Sequence, residues 1–200
     1  NVKTLYENQH IVKPIIKKTA QDFLNNQDVA TDNMLIIKQF APKSANVDTF
    51  HALLVQLQMA GWTPDMVCLD YMGECKLTPG VPKHESLEET VSKFRGLAVE
   101  LNFFGLTAMQ PNRSAREAQK EGIIDDSNLG DAYGQTRPLD AFWSINQRDD
   151  EKKMKVARIF CIKHRNGESR HLFYVQFNPE TLEYREIPEN VYFSIMQAYE

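Results

Sequence analysis

No glycine in this chain of 200 residues is followed by lysine, so the phosphate-cradling loop G-x-x-x-x-G-K-[ST] is absent from it. Cysteine is scarce as well. Cys68, Cys75 and Cys161 are odd in number and lie at no metal-ligand spacing, so a reducing compartment is the simplest inference. Cys68 and Cys161 read as small core hydrophobes. The five histidines show no i, i+4 pair of the kind a helical zinc site uses, so structural or surface roles are expected for all of them. No apolar run reaches membrane-spanning length, and the N-terminus does not look like a signal peptide. A net charge of −4 argues against binding nucleic acid through the whole surface but permits a local basic patch. The first residue is asparagine rather than methionine, as in a fragment of something longer.

What remains is a composition of 42% hydrophobic and 25% charged residues, that of one domain able to bury a core. The apolar pattern predicts a helix entering after Pro14, with Ile15, Ile16 and Phe23 inward, then a buried strand over Met34–Phe40. Asn46 and Asp48 offer N-caps for a helix in which Phe50, Leu53, Leu54 and Leu57 recur at i, i+3, i+4 and i+7, closed by Gly61. The strand in MVCLDYMGECK follows and delivers a lone carboxylate, Asp70, to its tip. After the Pro79-Gly80-Pro82 loop, Ser86 and Glu89 have the spacing of a capping box for a helix that turns Leu87, Val91, Phe94, Ala98 and Leu101 inward. FFGLTAM, residues Phe103–Met109, is the next strand and ends beside Gln110. Strands alternating with helices in this order predict an α/β fold with a parallel sheet. A long polar segment from Gln110 to Arg137 then leads to the strand AFWSINQ, two β-rich runs about an Asn166-Gly167 turn, an edge strand in ETLEYREI and a short helix over Val191–Tyr199.

Ligands of parallel α/β sheets sit at the carboxyl ends of strands. There an acid can reach magnesium on a nucleotide, and an amide can sense a γ-phosphate or orient water. Asp70 and Gln110 would share that edge. A strand-ending aspartate is about as often a turn former, and Gln110 by itself would be an ordinary loop residue. Lys163 and Arg165, one residue apart in KHRNG, would leave the same face of their strand, as at any solvated hairpin tip.

Taken in order, LIIKQF, VCLDYMGECK, LAVELNFFGLTAMQPNRS, LGDAYGQTRPLDAFWSI and KHRNG resemble the ATPase domain of the DnaB family of replicative helicases, T-even phage type, a branch of the RecA-like superfamily. The resemblance runs from about Met34 to about Tyr184. It implies a RecA-like, mainly parallel sheet with flanking helices and a C-terminal β-hairpin, the whole chain forming one partial motor domain. It further implies ATP and magnesium as cofactors, with Asp70 as the Walker B acid near the metal and Gln110 at the γ-phosphate. Lys163 and Arg165 would reach across a subunit boundary, the arginine as a finger in trans. Loops of the ring channel would place Arg113, Arg116 and Lys120 against single-stranded DNA, though Glu117, Glu121, Asp125 and Asp126 dilute the positive charge. The partners implied are single-stranded DNA, a homo-oligomeric ring, hexameric in the family, and primase; the location implied is the cytoplasm of a bacterial or phage-infected cell. In the family both Walker A and the glutamate that activates water lie upstream of the matched segment. The chain therefore reads as the C-terminal part of a motor domain, inactive by itself, and nothing in the match gives Glu74 the catalytic role. Other RecA-like motors, a recombinase or a KaiC-like ATPase, and a non-catalytic DNA- or ring-binding module remain alternatives.

Overall fold

The computed structural model describes residues 35–110, 122–125 and 133–198. The helix expected after Pro14 lies outside them. Two compact units are distinguished, Asn1–Phe40 and Ala41–Glu200.

In the first unit, residues 35–40 form no strand, and Leu35, Ile36 and Ile37 are exposed. Over residues 35–40 the strand expected for Met34–Phe40 is therefore corrected, and Met34 lies outside the described residues. Ile36 and Ile37 favour extended backbone, but local preference by itself does not make a strand.

The second unit begins with helix α1, Val47–Met59. Asn46 caps it: its side chain accepts the Thr49 N–H at 3.0 Å, and Thr49 Oγ1 accepts the Asn46 N–H at 3.3 Å. At the other end Gly61 takes φ +85°, letting Gly61 and Trp62 donate back to the carbonyls of Gln58 and Leu57, both at 2.9 Å. Strand β1, Met66–Leu69, pairs in parallel with β2, Phe104–Thr107, and helix α2, Lys83–Glu100, crosses over between them. Val91, Phe94 and Leu97 of α2 are buried. Gly105 lets this helix approach closely, since a β-carbon there would stand 3.1 Å from the Phe94 ring.

Two expectations fail here for one reason: they depend on surroundings that local spacing does not specify. Ser86 does not cap α2, which starts earlier, at Lys83 after Pro82. It is fully buried and accepts the Thr78 N–H at 2.8 Å, tying the preceding loop to the helix. Cys68 is exposed rather than part of the core, whereas Cys75 and Cys161 are buried. Met66, Cys68, Phe104 and Leu106 line the face of the β1–β2 pair opposite Gly105, and among the described residues that face is open.

The remaining strands, β3 Ala141–Asn146, β4 Val156–His164, β5 Leu172–Asn178 and β6 Glu183–Ile187, form one antiparallel sheet in sequential order. Parallel pairing is thus confined to β1–β2 among the described residues, a smaller share than expected. The hairpin of β4 and β5 does form, but the chain reverses over 165–171 rather than in a two-residue turn at Asn166-Gly167. The reason is a difference in partners: β4 runs on to His164, paired with Ala141 of β3, while β5 begins opposite Phe160.

Two short helices, α3 over Tyr133–Thr136 and α4 over Asp149–Lys153, were not expected. Acids in the first turn of α4 and lysines at its end complement the helix dipole. The terminal helix α5, Glu189–Gln197, closes a second core in which Val156, Tyr174 and Tyr192 are buried together, with the two rings 4.4 Å apart.

Candidate nucleotide-edge residues and a cationic strand tip

β1 and β2 run in register, Leu69 opposite Thr107, so both strands end at the same edge. Thr107 Oγ1 donates to the Leu69 carbonyl at 2.9 Å and stitches the two ends together. Asp70 follows immediately after β1, exposed, and Gln110 lies three residues past the end of β2, also exposed. The Asp70–Tyr71 peptide is cis. Beyond it, the 3₁₀ turn Met72–Glu74 buries Met72 and directs Glu74 to the Tyr71 hydroxyl at 3.2 Å and to Lys43 at 3.6 Å. Glu74 is engaged by these partners. Among the described residues no group of three or more His, Cys, Asp or Glu is gathered in the manner of a protein-built metal cage. Magnesium on a nucleotide does not need one: a single carboxylate beside phosphate oxygens and waters meets its preference. An exposed Asp70 at a strand edge fits that limited role, while a glycine-rich cradle for the phosphates is not among these residues.

Lys163 and Arg165 meet at the far end of β4, where it outruns β5. Lys163 Nζ donates to the carbonyls of Thr136 at 3.0 Å and Arg137 at 2.9 Å, at the C-terminal end of α3. Arg165 extends the β3–β4 ladder by one bond, its N–H donating to the Asp140 carbonyl at 2.7 Å, and its Nε lies 3.1 Å from Asp140 Oδ1. Asp140 also takes Arg95 of α2 through two nitrogens, at 3.1 and 3.2 Å. The Arg95 hydrogen bond, with the nearby cations, holds the Asp140 carboxyl below the usual carboxylate range against the opposing effect of burial. Partial burial, reinforced by Arg165, pulls Lys163 below the usual lysine value. Both cations thus converge on the segment 136–140, and both find their partners there rather than at Asp70 or Gln110.

Asp140 and Arg95 were not foreseen. The only sequence signal was an acid placed directly before a strand, and its partner lies 45 residues upstream. Arg113, Arg116 and Lys120 lie outside the described residues. Of the same long segment, Gly122–Asp125 is pinned to β3: Asn146 Oδ1 accepts the Ile124 N–H at 2.8 Å, and Ser144 Oγ donates to the Ile124 carbonyl at 2.7 Å. No helix among the described residues is long and apolar enough to cross a membrane.

No protein-family profile matches the chain. In sequence it is similar to the "DnaB-like replicative helicase" of Enterobacteria phage T4, 25% identical over 147 residues, covering 71% of this chain and 30% of that protein. In structure it is similar to a solved "ATPase Domain", with TM-score 0.61 and 16% identity over 72% of this chain and 52% of that one. The same TM-score and identity relate it to a chain of "The Structure Of A DnaB-Like Replicative Helicase And Its Interactions With Primase", of which it covers 36%. The fold is α/β and RecA-like, as in these two structures. The chain spans less than a third of the curated relative it matches.

Proposed function

Because the chain resembles DnaB-like replicative helicases in sequence and their ATPase domains in fold, we propose that it is part of an ATP-dependent replicative helicase that translocates on single-stranded DNA and unwinds duplex. The observation that carries this reading is the shared edge of β1 and β2, where Asp70 and Gln110 follow the ends of two parallel strands in register. That is where α/β proteins of this kind bind ligands.

In this reading residues from about Met34 to about Tyr184 contribute to a motor domain that binds ATP and magnesium between subunits of a ring, a hexamer as in the family. Asp70 holds the metal, which neutralises charge on the phosphates. Gln110 contacts the γ-phosphate region. Lys163 and Arg165 act on the nucleotide of the adjacent subunit, with arginine suited to that task because its planar fork stays charged and binds two oxygens at once. Arg113, Arg116 and Lys120 pair with DNA phosphates. Primase, named with one structural neighbour, is a further partner, and the bacterial or phage-infected cytoplasm the place of action. The 200 residues alone lack the amides and lysine of a phosphate loop and are not expected to turn over ATP.

The test is subunit complementation in the complete protein. Arg165→Ala should lower hydrolysis by roughly three to five orders of magnitude while sparing nucleotide binding, as loss of a trans-acting arginine does elsewhere. Asp70→Asn should abolish turnover from the opposite side of the interface. Rings mixed from the two variants should regain activity, because one interface then combines an intact Asp70 with an intact Arg165. Near-normal turnover by assembled Arg165→Ala rings would refute the trans assignment.

A further inference from the structure

Asp140 has no role in the scheme above, yet it grips Arg165 at two points. Its main-chain carbonyl accepts the Arg165 N–H at 2.7 Å, and its Oδ1 lies 3.1 Å from Arg165 Nε. These contacts fix the root and the neck of a long side chain that would otherwise sample many rotamers. The carboxylate is itself held: Arg95 donates Nη2 to Oδ1 at 3.1 Å and Nε to Oδ2 at 3.2 Å. Arg95 belongs to α2, whose buried face packs on the body of the domain, so the grip on Arg165 is referred to the rigid part of the structure.

The two arginines use this carboxylate differently. A guanidinium has a side-on edge, Nε with one Nη, and an end-on edge formed by both Nη atoms. Arg95 spends its side-on edge on both oxygens of Asp140. Arg165 approaches one oxygen through Nε, at 3.1 Å, which among the described residues leaves its end-on edge for a second, bidentate acceptor. A tether that aims an arginine without occupying its phosphate-binding edge is what delivery to a phosphate demands. The acid also separates like charges, because Arg95, Lys163 and Arg165 surround it and would otherwise repel one another. Exposure argues against a purely structural purpose: the Asp140, Arg165 and Arg95 side chains are 58%, 43% and 39% exposed, and ion pairs so exposed add little to stability.

We propose that Asp140, braced by Arg95, is a positioning residue for Arg165, aiming its guanidinium at a γ-phosphate held by the neighbouring subunit. The inference rests on the trans assignment made under Proposed function. Its test compares Asp140→Ala, Arg165→Ala and the double variant in the complete protein, reading DNA-stimulated hydrolysis, nucleotide affinity and ring assembly. Asp140→Ala should slow turnover about 10- to 100-fold, the usual penalty for an ångström-scale misplacement, with nucleotide affinity and assembly unchanged. The double variant should be no slower than Arg165→Ala alone. Mixing Asp140→Ala with Asp70→Asn rings should restore turnover, as is expected for Arg165→Ala, and Asp140→Glu should recover part of the loss. If Asp140→Ala disturbs assembly, Arg95→Gln on the exposed side of α2 takes its place, with a smaller loss that also disappears in an Arg165→Ala background. Turnover within about twofold of wild type for Asp140→Ala, in a protein that Arg165→Ala inactivates, overturns the positioning role and leaves the trans assignment standing. Additive losses in the double variant overturn it equally. Normal turnover by Arg165→Ala removes both readings at once.

Discussion

Replacing Glu151 with alanine should unfasten the C-terminal helix from the antiparallel sheet. Glu151 is fully buried in α4. Its Oε2 accepts the Arg148 N–H at 2.6 Å and Arg158 Nη2 at 3.1 Å, while Oε1 lies 2.6 Å from Arg158 Nε and accepts the Tyr192 hydroxyl. One carboxylate thus joins the start of α4, strand β4 and helix α5. Truncation leaves Arg158, 7% exposed, as a buried cation without a counter-charge, a loss of about 3–5 kcal/mol. The orphaned Tyr192 hydroxyl and Arg148 N–H would cost about 1–3 kcal/mol each alone, but they share the same lost partner and do not simply add. A total near 4 kcal/mol is a large part of the roughly 5–15 kcal/mol that holds a domain together. Urea denaturation, followed by circular dichroism, should show a lower midpoint at unchanged slope. The double variant Glu151→Leu, Arg158→Met removes both charges and fills the space, so it should be less destabilised than Glu151→Ala, since apolar replacements of buried pairs are often near neutral. A cost below about 1 kcal/mol for Glu151→Ala, or a double variant that is worse than the single, would show that this cluster does not carry the joint.

Two further outcomes follow from named residues. Burial, and next the hydrogen bond to Glu151, raise the Tyr192 phenol well above its ordinary value of about 10. The unfolded chain therefore loses this proton first, so the stability it contributes is complete below about pH 10 and declines as pH rises beyond it. Tyr192→Phe should flatten that alkaline decline in denaturation midpoints; an unchanged pH profile would remove Tyr192 as its source. In the complete protein, on the function proposed, alanine at Arg113, Arg116 and Lys120 should weaken single-strand binding, each lost phosphate contact reducing the log–log salt slope by about 0.7. Unchanged affinity and slope would exclude these residues from the DNA path.

Features made by near neighbours were legible in the chain. Asn46 and Thr49 cap α1 because the partners are three residues apart, and the run before Asp70 forms a strand because its local preference and its burial on one face agree. The hairpin of β4 and β5 was equally readable, as was the arrival of Asp70 and Gln110 just beyond two strand ends. The acids and lysines of α4 were readable too and were overlooked. What no local pattern contained was which face would be covered and which distant side chains would meet. Cys68 and Cys161 have similar neighbours, yet only Cys161 is buried: residues on both faces of β4 are buried, whereas the face of the β1–β2 pair that carries Cys68 is open among the described residues. Ser86 has the spacing of a cap but is buried inside α2, with its partner, Thr78, in the loop before the helix. Asp140 meets Arg95 across 45 residues and Glu151 meets Tyr192 across 41. Such pairs exist only once helices have packed on sheets, since a charge has no preferred partner until packing sets its distance to every other charge and removes the water between them.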